Sequence, residues 1–507
     1  MAGIDSATFA AAAPSDTVAG LLAPDSTGPA LLTVEGATID HPGLRAEVER
    51  LAAGLRGWGL GPNDRIAIVL PNGPEMALTL LAAMSVGCAA PLNPNYREEE
   101  FRFYLEDLRA AALVSYEGGA PTAHAAAPAG TVTVPVRGSG LSIELGAPPA
   151  ARAADRAVRP GPEDEALVLH TSGTTSRPKI VPLRQRNLAV SARNIAASLQ
   201  LTTADRSLEV MPLFHIHGIM AGLLAPLSAG GSVICTPGFD AFKFHRWIDE
   251  RHPTYYSAVP TMHQMVLARA QKPRPTSLRF VRSSSAPLPG PVLERLRELF
   301  GVPVVESYGM TEASHQMTTN PLPPGVAKQG SVGLPAGIEV AILDGANRLL
   351  APGERGEVAI KGATVVDGYE NNPDANRSAF TDGWFRTGDE GKLDEAGYLF
   401  LTGRLKEQIN RGGEKISPLE VDEVLLRHPA VAEAVTFAIP HDKLGEDVGA
   451  VVVLVAGQQV TERELRTYLG EQLAAFKVPK RILFMAEIPK GATGKVQRIG
   501  LADQLPL

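Results

Sequence analysis

The sequence predicts an α/β protein with a large N-terminal domain of doubly wound mixed sheets, a small β-barrel subdomain and a small α+β C-terminal domain. Its 507 residues exceed the size at which one hydrophobic core stops growing, so we expect at least two domains. We place the N-terminal domain at residues 1–402, its barrel-like subdomain at about 330–402, and the C-terminal domain at 403–507. Three features of the chain support this division: alternating apolar runs, a glycine-punctuated region and a charged stretch.

The first third of the chain alternates short aliphatic runs with longer helical patterns. Arg65 to Leu70 has the composition of a buried strand, whereas Leu44 to Leu60 repeats its apolar residues at helical spacing. This alternation is typical of βαβ units and of a parallel or mixed sheet. Residues 117–164 are crowded with alanine, proline and glycine, and for them we predict surface loops with weak packing.

From Gly330 onward the sequence is rich in predicted strands separated by glycines, as in GSVGLPAGIEVAILD and GERGEVAIKG. This pattern indicates a small barrel or meander. Near Gly403 a charged, turn-forming stretch, GRLKEQINRGGEKISPLEVDEVLL, leads into a helix. We take this stretch as the start of the C-terminal domain.

Composition excludes several classes of protein. The 48 basic and 55 acidic residues give a formal charge of -7 without a dense basic block, so we expect no nucleic-acid partner. Cys88 and Cys235 lie in small apolar stretches without metal-ligand spacing, which predicts two buried thiols. The first basic residue is Arg45, and polar residues interrupt the apolar run from Met76 to Leu92. We therefore expect a cytoplasmic protein without integral membrane association.

The strongest local motif is LHTSGTTSRPKIV, which runs from Leu169 to Val181 and follows an apolar strand pattern. Its hydroxyl groups and its glycine can wrap a polyphosphate, and its lysine adds a charge for the outer phosphates. The candidate residues are Thr171, Ser172, Gly173, Thr174, Thr175 and Lys179. The motif is not a GxxxxGK[ST] loop, so γ-phosphoryl transfer is not required. An ordinary Ser/Thr-rich loop is the alternative, which the preceding strand and the Pro-Lys ending disfavour.

This loop resembles the signature of the adenylate-forming superfamily of acyl-CoA synthetases, luciferases and peptide-synthetase adenylation domains. Further segments match motifs of that family in the same order: MPLFHIHG (211–218), AVPTMHQ (258–264), RSSSAPL (282–288), ESYGMTEAS (306–314), GWFRTGD (383–389), GRLKEQINRGGEKISPLEVD (403–422) and PKGATGKVQR (489–498). The resemblance covers nearly the whole chain. It implies that ATP and a carboxylic acid form an acyl-adenylate, that coenzyme A then accepts the acyl group, and that the C-terminal domain is mobile. Ser176 and Ile180 stand where the family usually carries glycine, which we expect to stiffen the loop without abolishing nucleotide binding.

The resemblance also implies roles for single residues. Tyr308 would stack on adenine, Thr311 would contact the α-phosphate, and Glu312 would hold Mg2+, a hard cation that prefers oxygen ligands. Asp389 would accept hydrogen bonds from the ribose hydroxyls, and Arg404 would approach the same sugar. The other expected nucleotide contacts are Ser285, Ala286, Glu306, Ser307, Gly309 and Met310.

A second group of residues carries the two-step chemistry that the resemblance implies. Lys495, in TGKVQR, would bridge the attacking carboxylate and the α-phosphate and stabilise the charge of the transition state. Lys406 would be the hinge of the domain rotation, and Gly412 and Gly413 would leave room for the pantetheine arm of coenzyme A. A basic cluster could meet the coenzyme A phosphates, although a solvated surface patch explains it almost as well; its members are Lys477, Lys480 and Arg481.

Three polar residues near the nucleotide motifs bear on the choice of acid. His215, Ser285 and His315 offer imidazole and hydroxyl donors where a fatty-acyl tunnel would be apolar, which favours a second carboxylate beside the reacting one. His217 is ambiguous, and His315 alternatively closes a loop by hydrogen bonding.

Four segments resemble the oxalate-CoA ligases of plants and fungi: HTSGTTSRPK, SHQMTTNPLP, INRGGEKISPLEVD and LAAFKVPKR. Malonate-CoA ligases tend to place an arginine near the position of His315, and Ala313 to Asn320 contain none. We therefore expect oxalate as the substrate. The alternatives are an acyl-CoA synthetase for another short-chain, medium-chain or aromatic acid, and an adenylation enzyme that loads a carrier protein. The expected partners are small molecules, and the chain would act as a monomer or a homodimer.

Overall fold

The computed structural model describes residues 16–22, 25–148, 158–171, 178–270, 272–273, 275–489 and 498–505. Their strands, in chain order, are β1 (Pro29–Thr33), β2 (Thr38–Asp40), β3 (Arg65–Val69), β4 (Cys88–Pro91), β5 (Ala112–Tyr116), β6 (Val132–Ser139), β7 (Ser142–Leu145), β8 (Glu165–Thr171), β9 (Lys179–Arg184), β10 (Arg206–Glu209), β11 (Ser232–Cys235), β12 (Tyr255–Ala258), β13 (Phe280–Ser283), β14 (Val304–Met310), β15 (His315–Thr319), β16 (Leu334–Pro335), β17 (Glu339–Leu343), β18 (Gly356–Lys361), β19 (Phe380–Thr381), β20 (Trp384–Leu393), β21 (Leu399–Arg404), β22 (Ile409–Arg411), β23 (Glu414–Ile416), β24 (Val431–His441), β25 (Gly445–Leu454) and β26 (Arg481–Phe484).

The α-helices of the described residues are α1 (Val18–Leu21), α2 (His41–Gly57), α3 (Pro74–Met84), α4 (Glu98–Asp107), α5 (Pro121–Ala126), α6 (Gln185–Ser198), α7 (Ala225–Ser228), α8 (Phe244–Arg251), α9 (Pro260–Arg269), α10 (Gly290–Phe300), α11 (Pro373–Ala379), α12 (Pro418–Leu426) and α13 (Glu462–Gly470). A π-helical segment spans Gly218–Leu224, and 3-10 turns span Thr311–Ala313, Ala475–Lys477 and Ala502–Gln504.

Two large mixed sheets carry the N-terminal part of the chain, as the sequence predicts. One has nine strands in the order β16-β15-β14-β13-β12-β10-β11-β1-β2, and the other has seven in the order β7-β6-β5-β3-β4-β8-β9. Their inner strands pair in parallel, whereas antiparallel strands lie at the edges. Inner strands are buried on both faces and are therefore often continuous apolar runs, as the fully buried β4 is.

Helix α3 packs between the two large sheets, because it contacts β1 of one sheet and β3 and β4 of the other. Every residue from Met76 to Met84 is buried, which accounts for the long apolar run at this point of the sequence. No helix in the described ranges is long and apolar enough to cross a membrane. The predicted thiols of Cys88 and Cys235 are both buried and unpaired.

The prediction of surface loops throughout residues 117–164 is wrong. Helix α5 and the strands β6 and β7 lie inside this range, and β6 extends the seven-stranded sheet by pairing with β5. Val132, Val134 and Val136 alternate with more exposed residues and are buried. The high alanine, proline and glycine content obscured a period-two pattern of valines, which is the signal of a half-buried strand.

The small β subdomain predicted near residues 330–402 is an antiparallel sheet of five strands, in which β17, β18, β20 and β19 follow one another and β21 also pairs with β20. Among the strands of the described residues, β17 pairs only with β18, so β17 is an edge strand and the sheet is open. The last sheet has the order β23-β22-β25-β24, with β26 beside β25, and α12 packs against β24. Between these two sheets the chain passes from Arg404 to Ile409.

The π-helical segment makes one unusually close contact in the core. A Cβ atom at Gly222 would lie 1.0 Å from Oε2 of Glu209, so the carboxyl group occupies the space that a side chain would need. Glu209 is fully buried in β10, and burial raises the pKa of its carboxyl group well above the usual range. The same carboxyl group accepts a hydrogen bond of 2.6 Å from the backbone N–H of Met211.

Gly222→Ala should therefore destabilise the protein by about 1–3 kcal/mol, because the added methyl group displaces a buried carboxyl group. The midpoint of thermal or urea unfolding measures this effect. Gly57→Ala, at the end of α2, is the matched control, since the nearest atom would lie 3.9 Å from the new Cβ. Equal stability of the two variants would contradict the assigned contact.

Candidate active site

The largest group of predicted site residues in the described part of the chain lies in or just after β13 and β14. Parallel strands commonly place ligand sites at the edge of a sheet where their carboxyl ends lie. After β14 the chain turns through Thr311–Ala313 and returns as β15, which pairs antiparallel with β14. This hairpin brings the YGMTE segment and His315 to one place.

Gly309 fixes the geometry of the hairpin. A Cβ atom at this position would lie 2.0 Å from the carbonyl oxygen of His315, so only glycine fits between the strands. Ser285, Ser314 and His315 have φ angles of 73°, 53° and 91°, a region that non-glycine residues seldom adopt. Two of these strained residues, Ser285 and His315, are predicted substrate contacts, and such strain is common at ligand sites.

Tyr308, Asp389 and Arg404 form the group predicted to hold adenine and ribose. The Tyr308 hydroxyl donates to Oδ2 of Asp389 at 2.5 Å, and Nε of Arg404 lies 3.0 Å from Oδ1. Asp389 and Arg404 are opposite each other in the β20–β21 pair. Burial and the negative charge of Asp389 raise the pKa of the Tyr308 phenol well above its usual range, so it remains a hydrogen-bond donor. The arrangement ties β14 of the nine-stranded sheet to the small antiparallel sheet.

Glu312, Tyr369 and Lys179 form a second group. The Tyr369 hydroxyl donates to Oε1 of Glu312 at 2.7 Å, and Nζ of Lys179 lies 3.9 Å from the centre of the Tyr369 ring. The pKa of the Lys179 ammonium is lowered, mainly by burial and also by the charge of Lys406. The negative charge of the nearby Glu312 opposes this shift. A lysine charge therefore lies beside the carboxylate to which the resemblance assigns Mg2+.

The donor set around Glu312 fits Mg2+ bound mainly through phosphates. The described residues contain no group of three or more His, Cys, Asp or Glu side chains that could hold a metal ion. Mg2+ in nucleotide sites typically takes one or two carboxylates and completes its shell with phosphate oxygens and water. A single buried carboxylate with one hydrogen bond to Tyr369 is compatible with that mode.

The β8–β9 hairpin supports the predicted phosphate loop. Thr171 and Lys179 are the last residues paired in this hairpin. Within the described part of the chain, the buried hydroxyl oxygen of Thr171 has no hydrogen-bond partner. The loop residues Ser172, Gly173, Thr174, Thr175 and Ser176 lie outside the described residues, as does Lys495. Helix α6 begins at Gln185, close to the start that the sequence predicts near Arg184.

The predicted substrate residues Ser285 and His315 belong to a buried polar cluster, together with the ambiguous His217. Nδ1 of His217 lies 3.1 Å from Oγ of Ser285, and Nε2 lies 2.7 Å from Oγ of Ser257. The rings of His217 and His315 stack with centres 4.9 Å apart. Nδ1 of His215 accepts a 3.3 Å hydrogen bond from the backbone N–H of His217, so the role of His215 toward substrate stays a prediction.

Sequence reasoning missed Arg282, which organises this cluster. The side chain is fully buried, with Nη1 2.9 Å from Oγ of Ser257 and Nη2 3.1 Å from Nε2 of His315. Nη2 also donates to Oε1 of Gln316 at 3.0 Å. The sequence signal that could have identified this residue is a charged side chain within an otherwise apolar strand, since β13 has the sequence FVRS and is fully buried. Ala313 to Asn320 indeed lack arginine, but His315 in β15 contacts one from β13, on the far side of β14, which weakens that contrast with malonate-CoA ligases.

The other predicted nucleotide contacts have structural partners of their own. Ser307 Oγ lies 2.7 Å from Oγ1 of Thr319, and Glu306 accepts a hydrogen bond from the N–H of Leu288 at 3.3 Å. Burial raises the pKa of Glu306 to about 7. Ala286 is exposed beside Ser285, and Gly309, Met310 and Thr311 are half-buried.

The C-terminal candidates lie near the link between the last two sheets. Lys406 is exposed in the turn after β21, and Gly412 and Gly413 form the β22–β23 turn with φ angles of 60° and 99°. Lys477 is held by both carboxylate oxygens of Glu420, at 2.6 and 2.7 Å. That ion pair favours the surface-patch interpretation for this lysine, whereas Lys480 and Arg481 are exposed.

Arg498, the last residue of the predicted lysine motif, is anchored in the C-terminal part of the chain. Its guanidinium pairs with the buried carboxylate of Asp422 in α12. It also lies 3.2 Å from Oε2 of Glu407, the neighbour of Lys406. Arg498 itself is thereby fastened beside the predicted hinge.

The chain is similar to known proteins along most of its length. The chain matches the AMP-binding enzyme family over residues 24–370 and the AMP-binding enzyme C-terminal domain over residues 420–495. It is 45% identical to an oxalate–CoA ligase of Arabidopsis thaliana, over 96% of this chain and 98% of that protein. It is 42% identical to an oxalate–CoA ligase of Saccharomyces cerevisiae, over 87% and 86% of the two chains.

The crystal structure of ATP-bound MatB from Rhodopseudomonas palustris superimposes with a TM-score of 0.86 at 30% identity, covering 97% of this chain and 99% of that one. The family match spans most of the chain, and the relatives are similar along nearly their whole length. By sequence and by fold, the chain belongs to the family of AMP-binding enzymes.

Proposed function

We propose that the protein is an ATP-dependent oxalate-CoA ligase, which converts oxalate, ATP and coenzyme A into oxalyl-CoA, AMP and diphosphate. The observation that carries the proposal is the polar cluster of Ser285, His217 and His315 beside the nucleotide motifs of an AMP-binding enzyme. Two relatives of high identity, both named oxalate–CoA ligase, support the same substrate.

In the first step one carboxylate oxygen of oxalate attacks the α-phosphorus of ATP, and the bond to diphosphate breaks. Lys495 would lie between the two anionic groups and stabilise the charge that develops as they meet. Thr311 would donate to an α-phosphate oxygen. Glu312 would hold Mg2+, which neutralises phosphate charge when bound. Lys179 would add its ammonium charge near the outer phosphates.

In the second step the thiol sulfur of coenzyme A attacks the activated carbonyl carbon, its proton is released, and the bond from carbon to the AMP oxygen breaks. Lys406 would be the hinge between residues 1–402 and 403–507, because the chain there runs from the small antiparallel sheet to the last sheet. Gly412 and Gly413 would approach the pantetheine arm, and a Cβ atom at Gly413 would meet no atom within 4 Å.

The polarity of the cluster favours a diacid over a fatty or aromatic acid. A site lined by hydrogen-bond donors rejects apolar substrates, because its buried polar groups are then left unpaired. A second carboxylate beside the reacting one satisfies these donors.

Purified enzyme with ATP, Mg2+ and coenzyme A should release AMP fastest with oxalate in a panel that includes malonate, hexanoate and benzoate. AMP release is measured by a coupled assay, and the thioester by mass spectrometry. AMP release with hexanoate or benzoate and none with oxalate would refute the assigned substrate. Transfer to a holo-carrier protein in place of free coenzyme A would refute the assigned acceptor.

Lys495→Ala should lower the rate of adenylate formation by about 10²- to 10³-fold, because transition-state charge stabilisation is lost. Release of diphosphate from ATP and oxalate measures this step. Lys443→Ala, at an exposed position in the β24–β25 turn, is the control and should leave the rate unchanged. A near-normal rate for Lys495→Ala would contradict the assignment.

Lys406→Pro should spare adenylate formation and block thioester formation, since proline restricts the backbone rotation that a hinge requires. Diphosphate release and oxalyl-CoA formation are measured separately in single turnovers. Lys406→Ala keeps the backbone freedom and should support both steps. Equal loss of both steps in Lys406→Pro would indicate misfolding in place of a blocked hinge.

A further inference from the structure

Arg282 is a buried cation whose contacts are all neutral groups. Among the described residues its partners are Ser257, His217, His315 and Gln316, and no carboxylate forms an ion pair with it. Burial lowers the pKa of the guanidinium to about 9, which still leaves it protonated at neutral pH. A buried charge without a counter-ion is costly. An anion that binds within reach of this charge would reduce that cost.

Arg282 also decides which atoms of the cluster donate. Arginine has five N–H donors and no acceptor, so Nε2 of His315, 3.1 Å from Nη2, must accept. A neutral imidazole carries one proton, which in His315 is then on Nδ1. Protonation of both nitrogens would place two cations in direct contact. Arg282 thus sets the tautomer of His315.

The second branch runs through Ser257 and His217 to Ser285. Ser257 Oγ accepts from Nη1 of Arg282 and lies 2.7 Å from Nε2 of His217. Nη1 is also 3.4 Å from this Nε2, so a proton on Nε2 would face the guanidinium N–H. The Ser257 hydroxyl therefore donates to Nε2, and the His217 proton is on Nδ1.

Nδ1 of His217 then donates to Oγ of Ser285 at 3.1 Å. As Ser285 accepts this bond, its own hydroxyl proton is directed elsewhere. Ser285 is half-buried and next to the exposed Ala286. Its hydroxyl proton is therefore close enough to the protein surface to be donated to a ligand. Both branches therefore begin at the guanidinium and point their donors away from it.

We infer that Arg282 is a positioning residue that turns His315 and Ser285 into donors and makes the site select an acid with a second negative charge. This inference rests on the proposed function and deepens it. Arg282 itself is fully buried and offers no exposed surface to a substrate, so it would act through the side chains that it contacts. Its charge acts over a short distance in a poorly screened interior.

The test compares oxalate with oxamate, a planar analogue of similar shape in which an uncharged amide replaces one carboxylate. Dissociation constants of both are measured by calorimetry on the full-length enzyme with a non-hydrolysable ATP analogue. The wild-type enzyme should bind oxalate at least tenfold more tightly than oxamate. In Arg282→Met this preference for oxalate should fall at least tenfold. Arg282→Lys keeps the charge but loses the fork of donors, so its preference should lie between those of the wild-type enzyme and Arg282→Met.

Two controls separate positioning from folding. Arg279→Met, just before β13, removes a partly exposed arginine that pairs with Asp205 at 3.0 Å and should leave the preference unchanged. The affinity for the ATP analogue reports on an intact nucleotide site in every variant. If Arg282→Met does not fold, Arg282→Lys carries the test through its intermediate preference.

Equal weakening of oxalate and oxamate in Arg282→Met, or no change in either, would overturn the inference, because a merely structural role acts on both ligands alike. AMP release by the wild-type enzyme is measured in parallel. Release with oxalate but no preference over oxamate would refute the role of Arg282 alone. Failure to release AMP with oxalate would refute the proposed function and this role with it.

Discussion

The close approach of Gly309 to the carbonyl group of His315 is the constraint on which the site depends. It allows β14 and β15 to pair tightly just where the chain also supplies Tyr308, Thr311 and Glu312. The residues assigned to the nucleotide and the residues assigned to the acid are therefore fixed relative to one another by backbone packing. This arrangement leaves little freedom for the relative position of the α-phosphate and the carboxylate, as in-line attack requires.

Asp389 connects the β14–β15 hairpin to the small antiparallel sheet. Its carboxylate receives hydrogen bonds from Tyr308 in β14 and from Arg404 at the end of β21. Lys406 follows Arg404 by two residues, so the proposed hinge begins directly after an anchor, the ion pair between the half-exposed Arg404 and the buried Asp389. The anchor determines where rotation can start, because the backbone before it is held by the β20–β21 pair.

Local sequence patterns predicted the alternating strands and helices of the large sheets, whereas the order of the motifs and the roles assigned to Ser285, Tyr308, Glu312 and His315 came from the resemblance to a known family. The local patterns failed for β6, where the valine alternation was hidden among alanines and prolines. They also missed Arg282, whose contact with His315 joins two strands that are far apart in sequence. Pairings between strands are set by tertiary packing, and a local pattern contains no information on which buried side chains will meet.

The position of Arg282 inside β13 bears on how such an enzyme could change its substrate. Residues in surface loops tolerate replacement, whereas a buried strand residue is surrounded by close-packed neighbours that must change with it. Ser257 and Gln316, which share its hydrogen bonds, are buried as well. If Arg282 sets the choice of acid as inferred, evolution toward another acid would have to proceed through coordinated changes in the core.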